Sequence, residues 1–185
     1  MKILKFILQY ILNPRDVGAI MPSSKKLSRK MVENINFNSA KYIVEYGPGT
    51  GVFTDKLIEK RNKNTIILII ESNNEFYNLL KDKFKEEKNL FIINDSAENV
   101  DTHLQIHNIS DVDYVISGLP FASLPKNVSC SILNKTNKIL KKEGKFITFQ
   151  YTLLKKEFIN QYFKKIDIKR EFANIPPAYI LSCGK

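Results

Sequence analysis

The sequence has little of what builds disulfide frameworks or metal centres. Its 185 residues include two cysteines and two histidines. Cys130 and Cys183 lie far apart without metal-ligand spacing, which favours two buried thiols in a reducing cytosol. His103 and His107 could share a helix face, but no third ligand accompanies them in a motif. We therefore predict no bound metal, and the length without repeats or long linkers predicts an ordinary globular core.

Acidic residues are scarce relative to basic ones. There are 19 Asp and Glu against 29 Lys and Arg, which gives a formal net charge of +10. The excess is concentrated in residues 1–41, where eight basic side chains accompany only two acidic ones. A concentrated positive end indicates an anionic partner, either nucleic acid or a membrane surface. No feature of the sequence indicates an oligomeric state.

A glycine-rich turn follows the first predicted strand. The apolar run Tyr42–Val44 ends at Glu45, and helical spacing begins at Val52. Between them stand three glycines at alternate positions: Gly47, Gly49 and Gly51. Strand, glycine turn and helix form the first half of a βαβ unit, whose glycines let a ligand approach the backbone closely. A plain turn without a ligand would have the same pattern. The prediction of a ligand therefore needs a second contact elsewhere in the sequence.

The next two predicted strands supply such contacts. The continuous apolar run at 65–70 is typical of a parallel strand covered on both faces, and it ends at Glu71. A carboxylate at the tip of the second strand can accept both ribose hydroxyls of an adenosine. The third run, Leu90–Ile93, is followed by Asn94 and then by Asp95, Ser96 and Ala97. Three strand ends in series carry polar groups suited to a nucleoside cofactor.

The motif of Glu and three alternating glycines resembles the first motif of class I S-adenosylmethionine-dependent methyltransferases. This resemblance implies that the glycine loop cradles the methionine part of the cofactor, with the acidic residue beside it. Asp95, Ser96 and Ala97 form a tripeptide of one acidic and two small residues, similar to the tripeptide that holds the adenine edge in that family. The predicted cofactor contacts are Glu45, Gly47, Gly49, Gly51, Glu71, Asp95, Ser96, Ala97 and Ser117.

The alternation of apolar patterns predicts an α/β fold. Strands are expected at 42–46, 65–71, 90–94, 112–116, 145–151, 165–172 and 178–183, and helices at 25–36, 52–62, 74–86, 124–142 and 153–163. Ser23 or Ser24 would cap the first of these helices. The pattern indicates a doubly wound, mostly parallel sheet with helices on both faces. A final strand pair joined by a loop indicates one antiparallel strand near the C-terminus, as in the class I methyltransferase (Rossmann-like) sheet.

Residues 1–12 form a strongly apolar segment whose three polar side chains, Lys2, Lys5 and Gln9, share one helical face. The segment is too short to span a bilayer, which needs about 20 residues. It could be a signal peptide, a helix packed on the domain, or an interfacial amphipathic helix, and we favour the last. We accordingly divide the chain into an N-terminal membrane-binding helix, loop and helix at 1–40 and a methyltransferase domain at 41–185.

The loop after the fourth strand bears on the methyl acceptor. Enzymes that methylate the exocyclic amine of adenine carry Asn or Asp here, then two apolar or proline residues and an aromatic. Leu119, Pro120 and Phe121 are similar to the version in ribosomal adenine dimethylases, but Gly118 stands where the Asn should be. Glycine has no side-chain acceptor. Together with a length that we expect to leave no room for an added RNA-binding domain, this makes RNA the less favoured substrate.

Four segments in order resemble the bacterial phospholipid N-methyltransferase family, related to phosphatidylethanolamine methyltransferase. They are Asn13–Ser24, Glu45–Gly51, Ser117–Pro120 and Asn174–Tyr179. The resemblance implies methylation of phosphatidylethanolamine toward its mono-, di- or trimethylated forms, by a cytoplasmic enzyme bound peripherally to the inner face of the membrane. The expected partners are an anionic membrane surface and the phospholipid substrate.

The predicted acceptor site combines aromatic side chains with one cation. Tyr179, Tyr151 and Phe121 are candidates for a catalytic aromatic wall that holds the amine by cation–π contact. Arg15 is a candidate for the lipid phosphate, and the loop residues that we expect beside the substrate are Gly118, Leu119 and Pro120. The alternatives are an rRNA adenine N6-methyltransferase, a catalytically silent membrane-associated S-adenosylmethionine-binding protein, and a basic nucleic-acid-binding module.

Overall fold

Seven strands form one sheet in the computed structural model, which describes residues 22–172 and 177–185. The strands are β1 Tyr42–Tyr46, β2 Ile66–Ile70, β3 Leu90–Ile93, β4 Val112–Ser117, β5 Leu140–Gln150, β6 Lys165–Glu171 and β7 Ala178–Gly184. Their order in space is β3-β2-β1-β4-β5-β7-β6. All neighbours pair in parallel except β7, which is antiparallel to both β5 and β6. The predicted doubly wound sheet with one antiparallel strand is confirmed.

Helices cover both faces of the sheet, as the apolar central strands require. They are α1 Pro22–Val32, α2 Val52–Lys60, α3 Asn74–Lys83, α4 Val100–Ile106, α5 Lys126–Ile139 and α6 Lys156–Asn160, with a 3₁₀ turn at Ala97–Asn99. Four of the five residues in each of β1 and β2 are buried. Most residues of β6 are exposed, because that strand lies at the edge of the sheet. Burial therefore follows the position of each strand in the sheet.

The core is divided into two layers, one on each side of the sheet. The layer under α4, α5 and α6 centres on fully buried residues such as Tyr46 and Phe146. The other layer includes Leu27, Met31 and Val32 of α1. Because α1 packs on the sheet, the predicted division at residue 40 does not separate two packed units within the described part of the chain.

Several boundaries differ from the sequence prediction. Residues 97–106, for which no strand or helix was predicted, form the 3₁₀ turn and α4, a short helix that buries only Val100 and Leu104. The first described helix begins at Pro22, so the prediction of a cap at Ser23 or Ser24 is wrong. The helix expected at 153–163 is confined to α6. Residues 1–21, which include the predicted amphipathic helix and Arg15, lie outside the described residues.

The carboxyl ends of β1, β2 and β4 define the edge where a ligand would bind. β1 lies between β2 and β4, and the chain crosses from one side of β1 to the other, so a crevice opens beside β1 at this edge. In the part of the chain that the structure describes, no helix is long and apolar enough to cross a bilayer.

Candidate cofactor and acceptor site

The glycine loop between β1 and α2 has the backbone geometry that only glycine adopts easily. Gly47 and Gly49 each have a φ of 58°, and Gly51 has a φ of 80°. A Cβ on Gly49 would meet no atom within 4 Å, so this position faces open space. A Cβ on Gly51 would lie 2.9 Å from side-chain atoms of both Leu80 and Phe84. The predicted role of Gly51 as a cofactor contact is therefore replaced by close packing between α2 and α3.

Glu71 connects the glycine loop to the end of β2. Its Oε2 accepts a hydrogen bond from the Gly49 N–H at 3.1 Å, and its Oε1 accepts one from the Asn73 N–H at 2.8 Å. Burial raises the pKa of Glu71, although backbone hydrogen bonds from Asn73, Gly49 and Ser72 act in the opposite direction. Each carboxylate oxygen has two acceptor positions. Three backbone donors therefore face four acceptor positions, which leaves at least one position for a ribose hydroxyl.

Glu45 lies behind the glycine loop rather than in the crevice. Its side chain is fully buried, and its Oε2 accepts the Thr54 hydroxyl at 2.7 Å. Among the described residues Oε1 has no hydrogen-bond partner. Burial raises the pKa of Glu45 to about 8. The carboxyl group is therefore mainly protonated at neutral pH in this structure. Glu45 does not line the crevice, so it would act on a cofactor only indirectly, by supporting the glycine loop.

Asp95 is fixed at the end of β3 by three donors. Its Oδ1 accepts from the Ser96 N–H at 2.7 Å and from Asn99 Nδ2 at 2.9 Å. Its Oδ2 lies 2.7 Å from His103 Nε2, and this hydrogen bond is the main reason that the pKa of Asp95 is lowered. Oδ1 has both acceptor positions filled, so the free position is on Oδ2. The carboxylate is held ionised, with one direction left for a ligand donor.

His103 supports this site, and the sequence analysis did not assign it that role. It was considered only with His107 as a possible metal pair. In the structure His103 binds Asp95, whereas the His107 ring lies 4.5 Å from the Phe91 ring and its Nδ1 approaches the His103 carbonyl. The spacing of eight residues between Asp95 and His103 could have predicted this contact, but only if residues 100–106 had been predicted to form a helix.

A crevice joins these elements. Its lining comprises Gly47, Ile70, Ser72, Asp95, Ser96, Ala97, Leu119, Leu124, Val128 and Ile132. The lining is apolar on the side of α5 and polar at the ends of β2 and β3, which suits a flat adenine ring with polar edges. Ser96 and Ala97, two of the predicted cofactor contacts, both line this crevice. Ser117 does not line the crevice, since it is fully buried and its Oγ accepts the Leu119 N–H at 3.2 Å.

Gly118 is packed directly against the glycine loop. Its N–H donates to the Tyr46 carbonyl at 2.9 Å. A Cβ at this position would lie 2.5 Å from the Gly47 carbonyl oxygen, which is backbone and cannot move aside cheaply. The close packing of the loops that follow β1 and β4 therefore requires a residue without a side chain at position 118. An Asn at this position would require the two loops to separate.

The three aromatic candidates do not form one wall. Phe121 is fully buried and packs edge-on against Phe146 with ring centroids 6.0 Å apart, so it belongs to the core and its assignment to the acceptor site is wrong. Tyr151 packs on the α1–α3 side of the sheet, edge-on to Phe149 at 5.5 Å. Tyr179 packs on the opposite side. Of the three candidates, Tyr151 and Tyr179 are partly exposed near the carboxyl edge.

The structure also shows the surroundings of Pro120 and of the two cysteines. Pro120 shapes the turn after β4, because its carbonyl accepts from the Ser123 and Leu124 N–H groups. Cys183 is buried and Cys130 is partly buried, and both thiols are free. Within the described ranges, no group of three or more His, Cys, Asp or Glu side chains is placed to hold a metal ion.

This combination of sheet order, glycine loop and acidic strand ends defines the methyltransferase class of Rossmann-like folds. A solved structure of a SAM-dependent methyltransferase from Aquifex aeolicus superposes with a TM-score of 0.67 over 88% of this chain and 92% of that one, at 13% identity. The model of the ribosomal RNA adenine dimethylase family matches residues 19–172, and the chain belongs to that family. The protein is therefore an S-adenosylmethionine-dependent methyltransferase.

Two curated relatives carry different substrate names. The ornithine lipid N-methyltransferase of Singulisphaera acidiphila is 28% identical over 169 residues, which cover 90% of this chain and 88% of the relative. The ribosomal RNA small subunit methyltransferase A of Ureaplasma parvum serovar 3 is 28% identical over 146 residues, or 79% of this chain. The match spans only half the length of that rRNA enzyme.

Proposed function

We propose that the protein transfers methyl groups to the primary amine of a membrane lipid, with phosphatidylethanolamine as the expected acceptor. The observation that carries the proposal is Gly118. An adenine methylase of this family needs a side-chain acceptor at that position to orient the exocyclic amine, and the 2.5 Å approach to the Gly47 carbonyl leaves no room for one. A lipid ammonium has three N–H groups, which can donate hydrogen bonds to backbone carbonyls, hydroxyls or water.

The similarity to the lipid enzyme supports the same assignment. That alignment extends over nearly the whole of both chains, whereas the alignment with the rRNA enzyme leaves half of the relative unmatched. The family itself favours a second candidate, methylation of adenine in ribosomal RNA. The two candidates differ in what they require of position 118.

The described residues fit the cofactor that the family uses. The open space at Gly49, the remaining acceptor positions on Glu71 and the free position on Asp95 Oδ2 match the methionine, ribose and adenine parts respectively. We propose that Gly47 and Gly49 hold the first of these parts through their backbone. When bound, S-adenosylmethionine supplies an electrophilic methyl group on its sulfonium. The protein's task is to align the acceptor nitrogen behind that methyl and to exclude water.

The acceptor must lose a proton before its nitrogen can attack. By analogy with lysine, the ordinary pKa of such an ammonium is about 10. Arg170 lies with its guanidinium 5.2 Å from the centroid of the Tyr179 ring. An ammonium placed beside Tyr179 would be close to this like charge, which lowers the pKa of the amine. Tyr179 is therefore our preferred aromatic contact for the amine, with Tyr151 as a second candidate on the other side of the sheet.

We also propose that residues 1–12 attach the protein to the membrane and that it lies on the inner face of the cytoplasmic membrane. Lysines near an anionic surface contribute about 1 kcal/mol each. Deletion of residues 2–12 should release the protein from anionic vesicles in a flotation assay and leave cofactor affinity nearly unchanged. A large fall in Tm on deletion would instead favour a helix packed on the domain.

The amine dependence of turnover tests the proposed function. Wild-type protein and labelled cofactor are incubated with vesicles that contain phosphatidylethanolamine, and in parallel with vesicles of phosphatidylglycerol and phosphatidylcholine only. We expect label in the lipid extract of the first sample alone. Tyr179→Ala should lower this turnover far more than cofactor affinity, and Tyr179→Phe separates loss of the ring from loss of the hydroxyl. Equal labelling with and without a primary-amine lipid would contradict the proposal.

A further inference from the structure

Apolar side chains are exposed at the sheet edge that carries the candidate site. Leu153 and Leu154, which follow β5, are 39% and 86% exposed, and Phe172, which follows β6, is 70% exposed. We refer to these three residues as the apolar lip. Large apolar side chains grouped on a surface mark an interaction site, whereas single ones need no explanation.

The strand register brings the two segments of the lip to one place. Gln150 near the end of β5 pairs with Tyr179 of β7, and Tyr179 pairs with Arg170 of β6. Neighbouring strands lie about 4.8 Å apart, so the two segments leave the sheet roughly 10 Å from each other. β5 and β6 run in the same direction because each is antiparallel to β7. The lip therefore lies at the carboxyl edge, along which β1, β2 and β4 also end.

Arg170 lies beside the lip and is held in place by aromatic rings. Its guanidinium is 4.5 Å from the centroid of Phe172 and 5.2 Å from that of Tyr179. Such stacking orients the guanidinium without neutralising its charge, and guanidinium groups bind phosphate through paired hydrogen bonds.

The charges around the lip are mixed, with an excess of cations. Lys155 and Lys156 directly follow Leu154, and with Arg170 they give three cations on these segments. The acidic groups are Glu157, which lies 3.7 Å from Lys156 Nζ, and Glu171 next to Arg170. The lip thus combines exposed apolar side chains with a net positive rim.

We propose that the apolar lip and Arg170 form a membrane contact, with the apolar side chains in the acyl boundary and the guanidinium at the headgroup phosphates. A bilayer offers an apolar phase directly beneath anionic oxygens, which is the combination that the lip presents. Nucleic acid offers the phosphates but no apolar phase for Leu154. The contact would hold the ends of β1 and β4 at the headgroup plane. The biological meaning of this contact rests on the proposed function, but vesicle binding is measured without turnover.

The test uses the full-length protein and vesicles of phosphatidylethanolamine and phosphatidylglycerol in a flotation assay. The variants are the double substitution Leu154→Ser with Phe172→Ser, and Arg170→Glu. Ile106→Ser is a matched control, because Ile106 is 66% exposed at the end of α4 that leads toward the opposite edge of the sheet. Lys142→Glu near the start of β5 is the charge control.

We expect the double variant to partition onto vesicles roughly tenfold more weakly than wild type, which corresponds to about 1.4 kcal/mol. Arg170→Glu should weaken partition severalfold, and more so at low salt than at high salt. The two controls should stay within about twofold of wild type. Unchanged partition of the double variant would overturn the proposal. The same holds if its Tm falls while partition is unchanged, since another part of the chain would then cover the lip.

Two parallel measurements separate this inference from the function. Short-chain phosphatidylethanolamine, dissolved as monomers, should be methylated by the single variant Leu154→Ser as well as by wild type, because Leu154, unlike Phe172, does not hold Arg170. If wild type binds vesicles through the lip but methylates neither form of the lipid, the membrane contact stands and the proposed function fails. If Arg170→Glu abolishes binding to ribosomal RNA in a gel shift and leaves vesicle binding unchanged, the surface is a nucleic-acid site and the membrane contact is overturned.

Discussion

At the scale of single residues, Glu71 has two tasks that substitution can separate. It holds the Gly49 and Asn73 N–H groups in this structure, and we assign its remaining acceptor positions to the ribose. Glu71→Gln keeps the shape but removes the charge and one acceptor oxygen. Because hydrogen bonds to charged groups contribute about 1.5–3 kcal/mol, cofactor affinity should fall by roughly ten- to a hundredfold in calorimetry. Glu86→Gln, an exposed substitution, is the control, and equal affinity in both variants would refute the ribose assignment.

Glu45 predicts a pH dependence of stability. Its pKa is raised by burial from an ordinary value of 4.5 to about 8, so the folded protein binds an extra proton between these values. The unfolded chain binds fewer protons in this window, so the free energy of unfolding decreases as pH rises through it. Glu45→Gln mimics the protonated acid and cannot titrate. Thermal unfolding from pH 5 to 8 should therefore show a flatter Tm profile for the variant, and parallel profiles would contradict the buried neutral carboxyl.

The sequence predicted polar residues at strand ends better than it predicted aromatic roles. Glu71 was predicted because it directly follows an apolar run, and Asp95 was predicted because it begins a tripeptide that resembles a class I methyltransferase motif. Phe121 was misassigned because an aromatic residue after a strand can either line a site or fill the core. Its contact with Phe146, which lies 25 residues later in the chain, decides between these roles, and no local pattern records that contact.

At the scale of elements, α4 carries a side chain that the cofactor site depends on. The His103 imidazole donates to Asp95 Oδ2, the oxygen with the free acceptor position. His103→Ala should raise the pKa of Asp95, because the main cause of its lowering is lost. With a single hydrogen bond contributing about 0.5–1.5 kcal/mol, we expect a roughly two- to tenfold weaker cofactor affinity. His107→Ala removes a neighbouring imidazole as the control, and an equal loss in both variants would mean general damage to α4.

Element boundaries were least predictable where packing overrides local signals. α4 has seven residues and polar positions on most of its surface, so its apolar periodicity is too short to recognise. β5 begins at Leu140 rather than at the predicted 145, because the chain enters the sheet before Gly144 through a register shift opposite Val112 and Tyr114. In both cases the decisive contacts come from a neighbouring strand or helix.

At the scale of the whole molecule, the arrangement of the sheet could be predicted because each central strand is an apolar run and each turn has its own signal. The strand order reverses at β1, and right-handed crossovers on its two sides then place helices on both faces of the sheet. The relation between β4 and the glycine loop could not be predicted, since it depends on a backbone contact of Gly118 with residues more than 70 positions away. That contact is nevertheless what separates the two candidate acceptors.

The most direct test offers both acceptors to the enzyme at once. Phosphatidylethanolamine vesicles and unmethylated ribosomal RNA are mixed in one reaction with labelled cofactor, and lipid and RNA are then separated and analysed by mass spectrometry. We predict N-methylated phosphatidylethanolamine in the lipid fraction and no label in the RNA. Methylated adenine in the RNA, with an unlabelled lipid fraction, would contradict the account.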